Sequence, residues 1–182
     1  GMKVIRSYHD FDGVPADIFS RVHSLASRGD VAKIAVTPHN TADVMTLFRI
    51  NEELKDVPKI IIGMGEWGVA TRILYKKMGS ILTFGSNGKA VAPGMISARE
   101  LKLLYRADQL NDNTGIYGIV GNPVMHSLSP QIHNPGFHKI HYNAVYVPFL
   151  SESIRSFLTL AEMLRMRGFS VTVPFKVDVV KY

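Results

Sequence analysis

Short apolar runs alternate with amphipathic segments through the first hundred residues. The apolar runs begin near residues 3, 32, 59 and 80, and the segments between them carry apolar residues at helical spacing. Nearly all-apolar strands that alternate with amphipathic helices are typical of a parallel sheet covered by helices. The pattern therefore predicts four βα units, which amount to half of an eightfold barrel; an open, doubly wound sheet is the alternative.

Turn and capping residues define the expected bounds of these units. Thr41 is expected to cap the second helix, Gly79 to end the third and Ser97 to cap the fourth. The expected strands are residues 3–7, 32–36, 59–62 and 80–84. The first and last expected helices are residues 16–27 and 97–105. Of the two between them, one begins near residue 42, and the other follows the loop at 63–68 and ends at residue 77.

A second α/β pattern with different spacing follows a polar, turn-rich segment at residues 107–115. The segment is predicted to be a linker between a first domain at residues 1–106 and a second at residues 116–182. The expected elements of the second domain are strands at 116–120, 143–148 and 169–173 and helices at 129–140 and 151–167.

Composition narrows the class of protein. The 182 residues are 46% hydrophobic and 20% charged, which is typical of a folded domain. The chain has no cysteine, no secretory signal pattern and no apolar run long enough to cross a membrane, so we expect a cytoplasmic protein without disulfides or thiolate metal sites. The net charge of +6 is scattered at helical spacing, which favours a small anionic substrate and predicts neither nucleic acid nor membrane as a partner.

Residues 63–68 match the G-x-G-x-x-G pattern of dinucleotide-binding loops, since they follow a predicted strand and precede a predicted helix. The pattern also requires an acidic residue about 20 positions further on. No Asp or Glu lies between Glu66 and Glu100. The missing carboxylate argues against a dinucleotide site here.

Three side chains of the first domain suggest Schiff-base chemistry. Lys33 lies within an apolar strand, where desolvation would favour the neutral amine that attacks a ketone. His9, at the end of the first strand, could move the proton that the iminium acidifies, and Arg72 could hold a carboxylate through two hydrogen bonds. The alternatives are a lysine at the rim of the sheet and a histidine that only makes loop hydrogen bonds.

Two serines mark a second group. Ser127 and Ser129 lie at a predicted helix start, where hydroxyls and the helix dipole suit a carboxylate; the alternative is that Ser129 only caps the helix. Lys176 follows a predicted strand and, taken alone, is expected to be a solvated loop residue.

The motifs of the first domain, taken in order, resemble the second half of type I 3-dehydroquinate dehydratases. They are residues 7–11, 33–36, 63–65 with 71–72, 82–85 and 92–94. The resemblance implies a (β/α)₈ TIM barrel without a cofactor, with Lys33 as the Schiff-base lysine, His9 as the general acid/base and Arg72 as the carboxylate ligand. The family usually has Ser at the position of Val91 and Gln at that of Met95.

Residues 121–130, 133–134, 146–149 and 168–176 resemble the substrate-binding domain of shikimate dehydrogenases. The resemblance implies that Ser127 and Ser129 hold the substrate carboxylate, that Thr172 contacts a ring hydroxyl and that Lys176 is the catalytic lysine. In that family an NADP-binding Rossmann domain follows, and here it would lie beyond Tyr182.

A dehydratase followed by a dehydrogenase resembles the fused, bifunctional enzymes of the shikimate pathway, which convert 3-dehydroquinate to 3-dehydroshikimate and then to shikimate. The implied location is cytoplasmic, or plastid for a plant-like parent. Half a barrel leaves an apolar face and sheet edges open, so we expect a homodimer and weak or absent activity. The alternatives are a non-catalytic binding module for shikimate-like carboxylates and an aldolase-type lyase with residues 85–88 as a phosphate loop.

Overall fold

Two three-stranded parallel sheets form a mixed α/β fold in the computed structural model, which describes residues 3–88 and 95–182. Val91 therefore lies outside the described residues. The first sheet has the order β1-β2-β3 and the second the order β5-β4-β6. The strands are β1 (Ile5–Asp10), β2 (Val31–Val36), β3 (Lys59–Gly63), β4 (Gly115–Gly121), β5 (Ala144–Leu150) and β6 (Gly168–Val171).

Helices connect the strands in the predicted alternation. The alternation is confirmed for the first three units and for the whole second half. At most of the ends, the observed bounds differ from the predicted ones by a few residues. The helices are α1 (Ile18–Ala26), α2 (Thr41–Glu53), α3 (Val69–Ile73), α4 (Ala98–Leu103), α5 (Ser129–Lys139) and α6 (Ile154–Met163), followed by a 3₁₀ helix at Asp178–Lys181. None of the helices in the described ranges is long and apolar enough to cross a membrane.

The prediction of a fourth strand at residues 80–84 is wrong. Only Ser80 pairs with β3, through a single parallel bridge to Lys59. Side-chain hydroxyls occupy the free edge of β3: the Ile61 amide donates to Ser80 Oγ at 3.0 Å and the Gly63 amide donates to Thr71 Oγ1 at 2.8 Å. Because these amides already have partners, they cannot form a ladder with the next segment.

Two further helix predictions are corrected by local hydrogen bonds. Asn40, and not Thr41, caps α2, because its side chain accepts a bond from the Asp43 amide at 2.8 Å. The third helix ends at Ile73 instead of residue 77, and consecutive turns lead from there to Gly79, which has the predicted left-handed φ of +63°. The Ser97 cap of α4 is confirmed as a reciprocal capping box with Glu100.

A buried polar contact joins the first residue of α2 to the segment between β5 and α6. Thr41 is fully buried, and its hydroxyl lies 2.9 Å from Ser151 Oγ and donates to the Glu152 carboxylate at 2.7 Å. Burial opposes the charge of Glu152, but hydrogen bonds from Ser156 and Thr41 outweigh it and hold the pKa of this carboxyl below its ordinary value. Helix α2 also packs against α6, and one hydrophobic core runs through both halves of the chain.

The predicted linker at residues 107–115 is packed against its surroundings. Ala107 and Leu110 are buried in the shared core. The Lys77 ammonium donates to the backbone carbonyls of Asn111, Asp112 and Thr114 at 3.1, 3.0 and 3.0 Å. The connection therefore holds the two halves against each other, because both its side chains and its carbonyls are engaged.

Candidate active site

Lys33 and His9 lie together on one face of the first sheet. Parallel pairing sets Ser7 opposite Lys33 and His9 opposite Ala35, and side chains two residues apart on a strand share a face. The Lys33 Nζ atom is 3.4 Å from His9 Nε2. Lys33 is half-buried and His9 is exposed, so the pair is open to a ligand from solvent.

Apolar side chains surround this pair on the same face. They form a small cluster in which Val31, Ala35, Ile60 and Ile62 are buried and pack with Met64 and Leu82. The expectation of an open apolar face is therefore wrong over β2 and β3, because Met64 and Leu82 pack over these side chains. The apolar exposure lies at the edge strand β1 and in the segment after β3, where Ile5 and Phe84 are 48% and 43% exposed.

Phe84 connects Lys33 to the third predicted residue, Arg72. The Lys33 ammonium lies 4.7 Å from the centre of the Phe84 ring, a cation–π distance. Arg72 Nη1 donates to the Phe84 backbone carbonyl at 2.9 Å. The structure thus places Lys33, His9 and Arg72 in one connected group. Sequence reasoning counted Phe84 in a family motif but missed its connecting position.

Arg72 is a buried cation without a paired carboxylate among the described residues. Its side chain belongs to α3 and is 5% exposed, and its Nε has no hydrogen-bond partner among the residues that the structure describes. Desolvation lowers the pKa of the guanidinium, which shows that burial disfavours its charge. A bound carboxylate would supply both the missing charge and a hydrogen-bond acceptor.

Close backbone packing explains the glycine-rich loop at residues 63–68. A Cβ atom on Gly68 would lie 2.1 Å from the backbone carbon of Gly63, and Gly65 has a left-handed φ of +69°. The helix that follows, α3, has only five residues. The loop therefore does not have the long helix on which a dinucleotide pyrophosphate rests.

The two serines of the second group are in contact. Ser127 Oγ donates to Ser129 Oγ at 3.1 Å and accepts a bond from the Ser129 amide at 3.2 Å. Helix α5 begins at Ser129 itself, and within the described ranges no side chain caps it. The alternative that Ser129 only caps the helix is therefore wrong, because its hydroxyl bonds Ser127 instead of a helical amide.

Thr172 and Lys176 lie after β6, at the same carboxyl edge of the second sheet. The Thr172 amide donates to the Val120 carbonyl at 2.9 Å, and a Cβ atom on Gly121 would meet the Thr172 methyl group at 2.3 Å. Lys176 occupies an exposed turn. Among the described residues no hydrogen bond joins Lys176 or Thr172 to either serine, so the edge is shared but the four side chains do not form one network.

A cleft of about 220 Å³ lies between the two halves of the chain, beside Ser127. Ser127 and Gln131 of the second half line it together with Glu66 and Met95 of the first half. Met95, at the usual glutamine position of the resembled family, thus lies near the second group, where it offers an apolar thioether in place of an amide.

Two family models match the chain, one for each half. The model described as "Type I 3-dehydroquinase" matches residues 1–112, and that described as "Shikimate dehydrogenase substrate binding domain" matches residues 119–182. The first matched range ends within the packed connection that Lys77 holds, and the second begins in β4.

Similar proteins span the same order of domains. The "Bifunctional 3-dehydroquinate dehydratase/shikimate dehydrogenase, chloroplastic" of Arabidopsis thaliana is 39% identical over 179 residues, which are 96% of this chain and 30% of the relative. The "Shikimate biosynthesis protein AroDE" of Chlamydia pneumoniae is 30% identical over 181 residues, which are 96% of this chain and 37% of the relative. The chain thus spans about a third of the length of these relatives.

A solved structure supports the assignment of the first half. The type I 3-dehydroquinate dehydratase of Clostridium difficile has a TM-score of 0.52 and 40% sequence identity, and the match covers 58% of this chain and 46% of that one. The family model for the first half covers more than half of the chain. The chain therefore belongs to the type I 3-dehydroquinase family, and its residues 119–182 are similar to shikimate dehydrogenase substrate-binding domains.

Proposed function

We propose that the first half of the chain carries the Schiff-base dehydration of 3-dehydroquinate to 3-dehydroshikimate. The observation that carries the proposal is the 3.4 Å distance between Lys33 Nζ and His9 Nε2. The Lys33 amine attacks the substrate ketone, and loss of the carbonyl oxygen as water leaves an iminium. His9 takes the proton from the adjacent carbon and returns a proton to the departing hydroxyl, and hydrolysis of the imine releases the product.

Arg72 binds the substrate carboxylate in this proposal. Its guanidinium is buried, unpaired among the described residues and connected to Lys33 through Phe84. A substrate held at Arg72 would lie beside the amine, which turns the attack on the ketone into an effectively intramolecular step.

The first sheet is proposed to be half of a (β/α)₈ barrel. Its three parallel strands carry helices between them, and the chain covers 46% of the length of the Clostridium difficile dehydratase. In such a barrel the four strands that precede these units would supply further ligands for the substrate. We therefore expect weak or absent dehydratase turnover by the residues of this chain alone.

Self-association through the first sheet is proposed as well. Among residues 3–88 and 95–182, strand β1 pairs only with β2, and Val4 and Ile5 at this edge are 49% and 48% exposed. An unpaired edge with apolar side chains favours pairing with a second copy. We expect sedimentation to show a homodimer and Ile5→Lys to shift it towards monomer; a monodisperse monomer of the unmodified chain would contradict the proposal.

The second half is proposed to bind a shikimate-like carboxylate at Ser127 and Ser129, with Thr172 at a ring hydroxyl and Lys176 as the catalytic lysine of the parent enzyme. The contact between the two serine hydroxyls and their place at the start of α5 support it. A relative from Pyrococcus furiosus carries the name "Shikimate dehydrogenase (NADP(+))", and NADP is the cofactor proposed for the parent. The glycine loop described above does not fit this group, so no hydride step is assigned to the described residues.

A binding module without turnover remains the second candidate function for this chain. The observation that favours it is that Lys176 makes no hydrogen bond to the serine pair in the described residues. The aldolase-type alternative is disfavoured, because a Cβ atom on Gly85 would lie 2.6 Å from the Ala98 amide. This glycine is required by the close approach of α4, which explains it without a phosphate ligand.

Borohydride trapping tests the proposed dehydratase chemistry. Incubation with 3-dehydroquinate and borohydride is expected to add the mass of one reduced ligand to the chain, and Lys33→Ala is expected to remove this adduct completely. Lys55→Ala is the matched control, since Lys55 is exposed and lies outside the site.

Three outcomes would contradict the assignment. An adduct that persists in Lys33→Ala would place the reactive amine elsewhere, and a chain that binds shikimate-like carboxylates without forming any adduct would favour the binding module. Equal trapping with phosphorylated ketoses would favour the aldolase-type lyase.

A further inference from the structure

A cavity of about 210 Å³ lies where the connection between the halves meets the end of α5. This junction cavity is at the start of β5, and therefore at the opposite edge of the second sheet from Ser127 and Ser129. Arg106 and Gln109 line it from the first half, and His138, His141 and Asn143 line it from the second. None of the described residues that line it is acidic.

Two residues that line the cavity have a left-handed backbone conformation, which normally favours glycine. Arg106 has φ +46° and His141 has φ +55°. His141 lies just past the end of α5, where its amide donates to the His138 carbonyl and the next amide donates to Phe137, the arrangement in which glycine is the usual residue. Left-handed backbone strains residues with a Cβ atom, and such strain is typical of functional positions.

The electrostatics of the cavity favour an anion. Burial lowers the pKa of the His138 imidazole and the positive charge of Arg106 lowers it further, so Arg106 supplies the positive charge and His138 a neutral donor. At the end of α5 the carbonyls of Phe137 and His138 accept backbone hydrogen bonds at 2.9 and 3.3 Å, which satisfies these two acceptors at the negative end of the helix. Gln109 and Asn143 add neutral donors.

Part of the remaining wall of the cavity is apolar, and Tyr105 and Tyr142 complete it. Leu110, Phe137 and Ala144 line it beside the polar groups. A ligand with an anionic head and a small apolar body would therefore match both surfaces. A phosphate dianion has enough acceptor oxygens for a guanidinium, two imidazoles and the neutral donors together.

We propose that the junction cavity binds a small phosphomonoester, with its phosphate held between Arg106 and His138 and its apolar body against Leu110 and Phe137. The ligand would contact both halves of the chain at once. Because such a ligand binds only the packed arrangement, it would also stabilise the two halves against separation.

Calorimetric titration with phenyl phosphate tests this proposal on the whole chain. Inorganic phosphate supplies the head alone and phenol the body alone, and phenyl phosphate is expected to bind more tightly than either. Arg106→Gly is expected to weaken phenyl phosphate binding by about tenfold or more, since it removes a charge-assisted hydrogen bond.

Arg165→Gly is the matched control. Arg165 is an exposed arginine with φ +50° that does not line the cavity, so both variants exchange a left-handed arginine for glycine. Both are expected to keep or raise the melting temperature, which separates a loss of binding from a loss of folding. His138→Gln, which leaves the Arg106 backbone unchanged, is expected to weaken binding as well.

Three outcomes would overturn the proposal. The first is the absence of saturable binding by phenyl phosphate and by inorganic phosphate. The second is an equal loss of affinity in Arg106→Gly and Arg165→Gly. The third is equal affinity for inorganic phosphate and phenyl phosphate, which would rule out the apolar part of the site.

Discussion

Replacing Arg72 with methionine is expected to abolish trapping of 3-dehydroquinate while making the fold more stable. The guanidinium is buried and lacks a paired carboxylate among the described residues, so its desolvation is uncompensated until a ligand binds. Methionine removes this charge but retains much of the apolar contact. We expect carboxylate binding to weaken about hundredfold or more and the free energy of unfolding to rise by about 1–3 kcal/mol.

The two effects are measured separately, by borohydride trapping at several ligand concentrations and by urea unfolding. Arg72→Lys is the control, because it keeps the charge but loses the planar pair of donors. It is expected to lose affinity without gaining stability. A destabilised Arg72→Met variant would show that the bond from Arg72 to the Phe84 carbonyl outweighs the cost of burying the charge.

The second large effect is expected at Phe157, in the core that the two halves share. Its side chain is fully buried in α6, and its ring lies 5.7 Å from that of Phe149 and 4.9 Å from that of Phe169. Phe157→Ala is expected to lower the free energy of unfolding by about 3–5 kcal/mol, since it removes a buried ring and leaves a cavity. Because α6 packs against α2, we expect both halves to lose stability in a single transition.

Phe11→Ala is the matched control for this prediction. Phe11 lies after β1 and is 75% exposed, so the same substitution is expected to change stability little. Unfolding is followed by far-UV circular dichroism and by the fluorescence of Trp67, the single tryptophan, which belongs to the first half. One result for Phe157→Ala would contradict a shared core. In it, the Trp67 fluorescence transition keeps the midpoint of the unmodified chain while the circular dichroism signal unfolds in two steps.

Much of the candidate site could be predicted because it depends on local periodicity. A parallel strand places alternate side chains on one face, and a βα rhythm brings the strands into neighbouring positions. Lys33, within the second strand, and His9, at the end of the first, could therefore be expected to face one pocket. Ser97 and Glu100 are separated by the spacing of a capping box, which needs no distant partner.

The failures share a different cause. The fourth strand was expected from an apolar run, yet the β3 amides that it needed are bonded by Ser80 and Thr71 side chains. Thr41 was expected to cap a helix, yet its hydroxyl bonds Ser151 and Glu152, more than a hundred residues away. In each case a hydroxyl with several possible partners took the one that folding brought near.

By itself, the amino-acid sequence determined most of the alternation of strands and helices, the family of the first half and the residues that we propose for Schiff-base chemistry. These depend on spacing and residue type, which the chain carries locally. Only the tertiary structure decided that Phe84 connects Lys33 with Arg72, that the connection at residues 107–115 is packed, and that the two halves share one core. Such contacts depend on which surfaces meet, and burial then selects among hydrogen-bond partners that the sequence leaves equivalent.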